Sequence, residues 1–204
     1  MCHFDQDPGT SSKFWKARRE QIYITGSTRP ADAMVKAGIL LRRARALASD
    51  EPTGFVWVEE GRLAASGYPA SKSQIAWLGR KGINSILSLT EEALPSSWLQ
   101  KSMNYLHVPM QDHQPPNQAS LESAATRIEL ELSSGRVVLV HCQAGIGRTM
   151  CAIGAYLIRS KGMGADEAIA FLRAIRPGAV ERGQEASLRE FATARRRADS
   201  AGHP

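Results

Sequence analysis

The run Val137-Val-Leu-Val-His-Cys-Gln-Ala-Gly-Ile-Gly-Arg-Thr149 joins two kinds of secondary structure through a loop that carries two glycines. Val137 to Val140 is apolar and mostly β-branched, the pattern of a buried central strand. Beyond the loop, Met150, Ile153, Ala155, Leu157 and Ile158 read as a helix, and Lys161 with Gly162 marks its C-terminus. The loop therefore lies where a strand ends and a helix begins. Unpaired N–H groups and the helix dipole favour an anion at such a junction. Gly145 and Gly147 let the backbone curl, so that the N–H groups of Gln143, Ala144, Gly145, Ile146 and Gly147 form an inward-facing nest for a phosphate.

Cys142 opens this loop and Arg148 closes it. A thiol at a helix N-terminus has its pKa drawn from about 8.5 to roughly 3.5–7.5, which makes the nucleophilic thiolate the dominant form. An arginine offers a planar fork that binds two phosphate oxygens and follows charge into the transition state. Thr149 is expected to donate its hydroxyl to the cysteine sulfur when that sulfur leaves, and His141 to fix the loop through hydrogen bonds to the backbone. The competing reading is a buried inert cysteine followed by a helix-capping arginine.

His141, Cys142, Gly145, Arg148 and Thr149 together resemble the signature of the cysteine-dependent protein tyrosine phosphatase superfamily, HCxxGxxR followed by Ser or Thr. The resemblance is to compact, dual-specificity-like and archaeal-type members, and runs from about residue 55 to about residue 192. It implies a protein tyrosine phosphatase-like α/β fold and a reaction without metal or cofactor. It also implies a proton donor on a loop well before the cysteine. Asp112 is the one acidic residue of Val108-Pro-Met-Gln-Asp-His-Gln-Pro-Pro116, and would act as general acid and then as general base. An Arg176-Pro-Gly178 turn and a Gln184-Glu185 pair add a third shared element, in which Gln184 is the candidate for orienting the hydrolytic water. The spacing from turn to pair is one residue shorter than expected, so a helix-surface glutamine is the alternative. Phe55 to Pro69 resembles the family's opening hairpin, and Ile83 to Glu92 its next strand and turn. Met150 departs from the glycine common after the Arg-Thr pair.

The remaining pattern predicts one α/β unit: a central, mostly parallel sheet flanked by helices on both faces. Residues 55–198 are expected to form the catalytic domain, and residues 1–54 an N-terminal extension with one helix from Ala31 to Ala48. That helix carries Lys36, Arg42, Arg43 and Arg45 on a basic side; packing on the domain, partner docking or membrane-surface contact would each suit it. Within the domain the pattern predicts helices at Lys72–Gly79, Ala119–Leu132, Ala165–Ile175 and Gly183–Arg196, and a short one near Leu94–Gln100. Strands are predicted at Ser85–Leu89 and Asn104–Val108.

A net charge of +6 suits polyanionic substrates, but no zinc-finger spacing or RNP-like aromatic motif points to specific nucleic-acid binding. The histidines show no tight ligand spacing, so no metal site is expected. No apolar run approaches the ~20 residues that cross a bilayer, and the N-terminus lacks a signal-peptide pattern. Three cysteines do not suggest a disulfide framework, so a reducing, cytoplasmic setting is expected, with a monomer as the default state. Cys151 could bridge reversibly to Cys142, or could simply pack as a small core residue.

The function expected is phosphomonoester hydrolysis through a phosphocysteine, on phosphotyrosine proteins and, with a broader pocket, on phosphoserine and phosphothreonine. An inositol polyphosphate (phytase-like) phosphatase is the second enzyme reading. It has the HCxAGxGRT form and the positive charge on its side, and the short chain and lysine-free loop against it. A phospho-binding protein without activity would be marked by loss of the cysteine, arginine or aspartate, and all three are present. Sulfur-transfer and arsenate-reducing relatives fit the His-Cys opening and the distant acid poorly.

Overall fold

The computed structural model describes residues 49–181 and 183–201. The basic helix expected at Ala31–Ala48 lies outside the described residues. The described chain runs β1 (Val56–Glu59), β2 (Leu63–Ser66), α1 (Lys72–Arg80), β3 (Ser85–Ser88), a 3-10 turn (Ser96–Trp98), β4 (Asn104–His107), α2 (Gln118–Ser133), β5 (Val138–His141), α3 (Arg148–Lys161), α4 (Ala165–Ile175) and α5 (Gln184–Ala201).

The strands form one sheet in the order β1-β2-β5-β3-β4. β1 pairs antiparallel with β2, and all other neighbours are parallel. Every residue of β5 is buried, as are those of β2 and β3 that flank it, while the edge strands β1 and β4 are half-buried. A strand enclosed on both faces reads as an unbroken apolar run, which is why Val137 to Val140 stood out in the sequence.

Alternation along the strands divides the core in two. Leu63, Ala65, Leu87, Val138 and Val140 face a large cluster with Leu121 and Ile128 of α2, Ile153 and Leu157 of α3, Leu172 of α4 and Leu188 of α5. Ala64, Ile86 and Leu139 face a smaller one with Ile75 and Leu78 of α1, Ile83 and Leu94. Helices thus cover both faces, as expected, with α1 on one and α2 to α5 on the other. α3 lies deepest: Arg148 through Ile158 are all buried, and Gly162 ends it in the left-handed conformation at φ 70°. At Gly154 a Cβ would lie 2.9 Å from Leu188, so glycine there lets α5 approach α3.

Two expectations change in extent. The short helix near Leu94–Gln100 is only the single 3-10 turn Ser96–Trp98, preceded by Pro95. The last helix continues past Arg196 to Ala201, because Ala198, Ser200 and Ala201 place no proline or glycine in its path.

The parallel strands set the location of the site. The segments that follow β2, β3, β4 and β5 leave the sheet at the same edge. The β4–α2 connection and the β5–α3 loop, far apart in sequence, are thereby brought together above that edge.

Candidate active site

The loop after β5 rests on the end of β2. Gly145 has φ 70°, and a Cβ on it would fall within 2.7 Å of Gly67 N and still closer to the Ser66 carbonyl. Gly67 N donates to Thr53 O at 2.8 Å, and Tyr68 N donates to Gln143 O at 3.2 Å. On the far side of the loop, Val180 N donates to Ile146 O at 3.2 Å. Inside it, Gly145 N donates to Cys142 Sγ at 3.2 Å, and the cysteine is buried. Gly147 is the N-cap of α3 and carries no side-chain cap, so the helix N-terminus keeps donors for an incoming anion.

Arg148, in the first turn of α3, has a side chain only 4% exposed. Its Nη1 donates to Met110 O at 2.9 Å, and its Nη2 lies 2.7 Å from Asp112 Oδ1. The loop expected to carry the acid therefore folds over the arginine that closes the candidate phosphate loop. Asp112 remains 41% exposed, open to a substrate. Its Oδ1 also accepts from His113 N at 3.0 Å, and its own N–H donates to Glu91 Oε1 at 3.1 Å. His113 reaches φ 56°, and its ring Nε2 stands 3.8 Å from Asp112 Oδ2. With this pair in place, an oxyanion at Cys142 would share the Arg148 fork with the carboxylate or displace it.

The supporting residues differ in part from expectation. His141 is fully buried; its Nδ1 lies 3.4 Å from Cys142 O, and the ring meets Tyr68 edge-on at 5.7 Å. Burial pushes its pKa down to about 4, helped by the charges of His107 and Arg148 and opposed by the Cys142 carbonyl. A neutral imidazole that donates through Nδ1 follows, and among the described residues Nε2 has no hydrogen-bond partner. Thr149 is buried, but among the described residues its Oγ1 has no hydrogen-bond partner, and the N–H that donates to the sulfur is that of Gly145.

Gln184 is buried rather than on the helix surface. Its Oε1 accepts from Glu181 N at 3.1 Å and from Cys151 Sγ at 3.5 Å, and its amide packs so close to Gly147 that a Cβ there would lie 2.8 Å from Nε2. Burial raises the Cys151 pKa far above the ordinary thiol range, with the Cys142 and Glu181 charges adding to it. A thiol held neutral in this way suits packing better than exchange with Cys142.

Three contributors were not singled out in the sequence. The Met110 carbonyl and the Glu91 carboxylate hold the arginine and the acid loop. Arg176 donates to Ala144 O at 3.2 Å and also to Gly54 O. The signal for Arg176 is the Arg-Pro-Gly turn itself, which precedes the Gln184-Glu185 pair. Among the described residues, no group of three or more His, Cys, Asp or Glu side chains converges as a metal site would.

Two outcomes follow from this geometry. Gly145→Ala is expected to lose about 1–2 kcal/mol from its left-handed backbone, more from the clash with Ser66 and Gly67, and binding of inorganic phosphate with them. Gly61→Ala, at φ 66° with open space around it, should carry only the backbone cost and keep phosphate binding. Urea unfolding and phosphate titration of both variants check this; equal behaviour would refute the close-packed loop.

The second outcome concerns pH. As pH falls through 6.5 the unfolded chain protonates His141, whereas the folded protein does so only near 4. Stability should therefore drop between those values, by up to about 3 kcal/mol. Unfolding of the wild type and His141→Asn from pH 7 to 4 isolates this slope, which the variant should lack.

Comparison with known proteins agrees with the geometry. The family model described as "Dual specificity phosphatase, catalytic domain" matches residues 67–194. Tyrosine-protein phosphatase CDC14 of Saccharomyces cerevisiae is 29% identical over 64% of this chain, which spans 23% of that protein's length. Phosphatidylglycerophosphate phosphatase PTPMT1 of Arabidopsis thaliana is 31% identical over 56% of this chain and 35% of its own. Among solved structures, Tk-PTP in its active form superposes with a TM-score of 0.62 at 27% identity, covering 69% of this chain and 97% of that one. A structure of PTPMT1 gives 0.64 at 21% identity, covering 72% of this chain and 99% of that one, and shows the fold alone. The strand–loop–helix around Cys142 and the extent of these matches lead to one assignment: this chain belongs to the dual specificity phosphatase catalytic-domain family.

Proposed function

We propose that this protein hydrolyses phosphomonoesters through a phosphocysteine intermediate, as a protein tyrosine or dual-specificity phosphatase, with residues 55–198 as its catalytic domain. The observation that carries this reading is the 2.7 Å contact between Arg148 and Asp112. It brings the candidate acid from a separate connection to the loop that holds the candidate nucleophile.

In this reading the Cys142 thiolate attacks phosphorus while Arg148 and the loop N–H groups of residues 143–147 take the charge of the equatorial oxygens. The sulfur–phosphorus bond forms as the ester oxygen–phosphorus bond breaks, and Asp112 passes its proton to the departing oxygen. Asp112, now a carboxylate, takes a proton from water as the water attacks phosphorus, and the sulfur leaves with its electron pair. Gln184 lies next to Gly147, where its Nε2 can meet that water; its Oε1 is already committed to Glu181 N and Cys151. Arginine and backbone dipoles supply the charge stabilisation, so the step requires no metal.

Candidate nucleophile, clamp and acid all come from one chain, so a monomer suffices for the reaction. A reducing cytoplasm would keep Cys142 available. Among the described residues no helix is long and apolar enough to cross a membrane. The inositol polyphosphate reading draws on the net positive charge, but Glu91 stands beside Asp112, and its charge disfavours a highly phosphorylated ring.

Hydrolysis of p-nitrophenyl phosphate should survive EDTA and vanish in Cys142→Ser; an active Cys142→Ser protein would sink the mechanism. Asp112→Asn should cost about 10²–10⁴-fold on alkyl phosphates and much less on aryl phosphates, whose leaving groups need little protonation. Equal losses across leaving groups of very different pKa would remove Asp112 from the acid role.

A further inference from the structure

The direction of each peptide in the phosphate loop is set from outside the loop. A trans peptide places its C=O and the following N–H on opposite sides, and no cis bond occurs among the described residues. A carbonyl anchored outward therefore sends the next N–H inward. Tyr68 N holds Gln143 O, which turns Ala144 N–H inward; Val180 N holds Ile146 O, which does the same for Gly147 N–H. Between them lies the Ala144–Gly145 peptide. Its carbonyl accepts from Arg176 Nη2 at 3.2 Å, and its N–H donates to Cys142 Sγ at 3.2 Å.

We propose that Arg176 is a positioning residue for the phosphate loop: it holds the Ala144 carbonyl outward and so aims Gly145 N–H at the nucleophile and the phosphate it receives. The two neighbouring anchors are backbone groups that almost any side chain would leave in place. Arg176 is the anchor among them that a side chain supplies. Its second arm donates to Gly54 O, where a Cβ would collide with the guanidinium, so one planar fork ties the Ala144 peptide to the chain entering β1. Thr53 O in that entering segment accepts from Gly67 N at 2.8 Å, so the anchor is itself fixed to the end of β2.

Lysine carries the same charge but cannot reproduce a fork across two carbonyls. Partial burial pulls the Arg176 pKa below the ordinary arginine value, and the Cys142 charge acts against that pull; the two groups are within electrostatic reach.

This inference rests on the reading of Cys142 as nucleophile, and the test separates the two. Inorganic phosphate affinity is measured by its protection of Cys142 from iodoacetamide, alongside the pH profile of alkylation and thermal unfolding, for wild type, Arg176→Met and Arg176→Lys. Arg176→Met should bind phosphate about 10–100-fold more weakly. Its alkylation profile should move to higher pH as a nearby positive charge is lost. Arg176→Lys should keep the wild-type alkylation profile yet bind phosphate several-fold more weakly, because the charge stays and the fork does not.

Folded Arg176→Met with wild-type phosphate affinity and profile would overturn the proposal. Should Arg176→Met fail to fold, Arg176→Lys decides: wild-type phosphate affinity in that variant would overturn the clamp. A wild type in which phosphate gives Cys142 no protection would sink the nucleophile reading, and this inference with it. Protection in the wild type with indifferent Arg176 variants would sink this inference alone.

Discussion

A loop that turns N–H groups inward, as it turns Gly145 N to Cys142 Sγ, is a backbone arrangement that cannot hold itself. Each inward donor leaves the carbonyl of the same peptide pointing outward, and a hydrogen-bond partner there fixes the direction of the peptide. The structure meets this requirement with Tyr68 N, Val180 N and Arg176, drawn from the end of β2 and from the turn between α4 and α5. Val180 itself has φ 57°, an uncommon conformation for a β-branched residue. Arg173 holds it there by donating to Ala179 O at 3.1 Å and Val180 O at 3.0 Å. The loop between Cys142 and Arg148 is thus the meeting point of several segments, and its geometry depends on their packing.

The same logic explains the burial of α3. A helix whose N-terminus must stay in one place beside a sulfur gains from being enclosed along its length, and Arg148 through Ile158 are buried among α2, α4, α5 and the sheet. The guanidinium of Arg148 is nearly dry, so its contacts with Met110 O and Asp112 are stronger than they would be in water and costly to leave unmade. This couples the Asp112 loop to α3. An oxyanion that binds the fork would share it with the Asp112 carboxylate or displace it, and displacement would move the loop that carries Asp112.

Much of the site was legible because the loop is local. Cys142, Gly145 and Arg148 lie within one strand–loop–helix, so strand burial, glycine placement and helix phase suffice to put them together. Asp112 needed the resemblance, since its loop is joined to Arg148 only through the parallel arrangement of β3, β4 and β5. The hydroxyl of Thr149 shows where local reasoning stops. Its position in sequence suits a bond to the sulfur, but in the structure Thr149 is buried and its Oγ1 has no hydrogen-bond partner among the described residues. Gln184 was a choice between two roles in the sequence, and the structure puts its side chain against Gly147 with Oε1 satisfied by Glu181 N and Cys151.

By itself the sequence determined the layer pattern, the central buried strand and the identity of the candidate nucleophile and clamp. These follow from period, burial tendency and chain-local spacing. Tertiary structure decided which distant groups meet at the candidate site: Asp112 on Arg148, the carbonyl anchors, the contact of Arg176 with Ala144 and the neutral state of His141. Those depend on distances between segments that the chain brings together only by folding, and on the low-dielectric interior that folding creates.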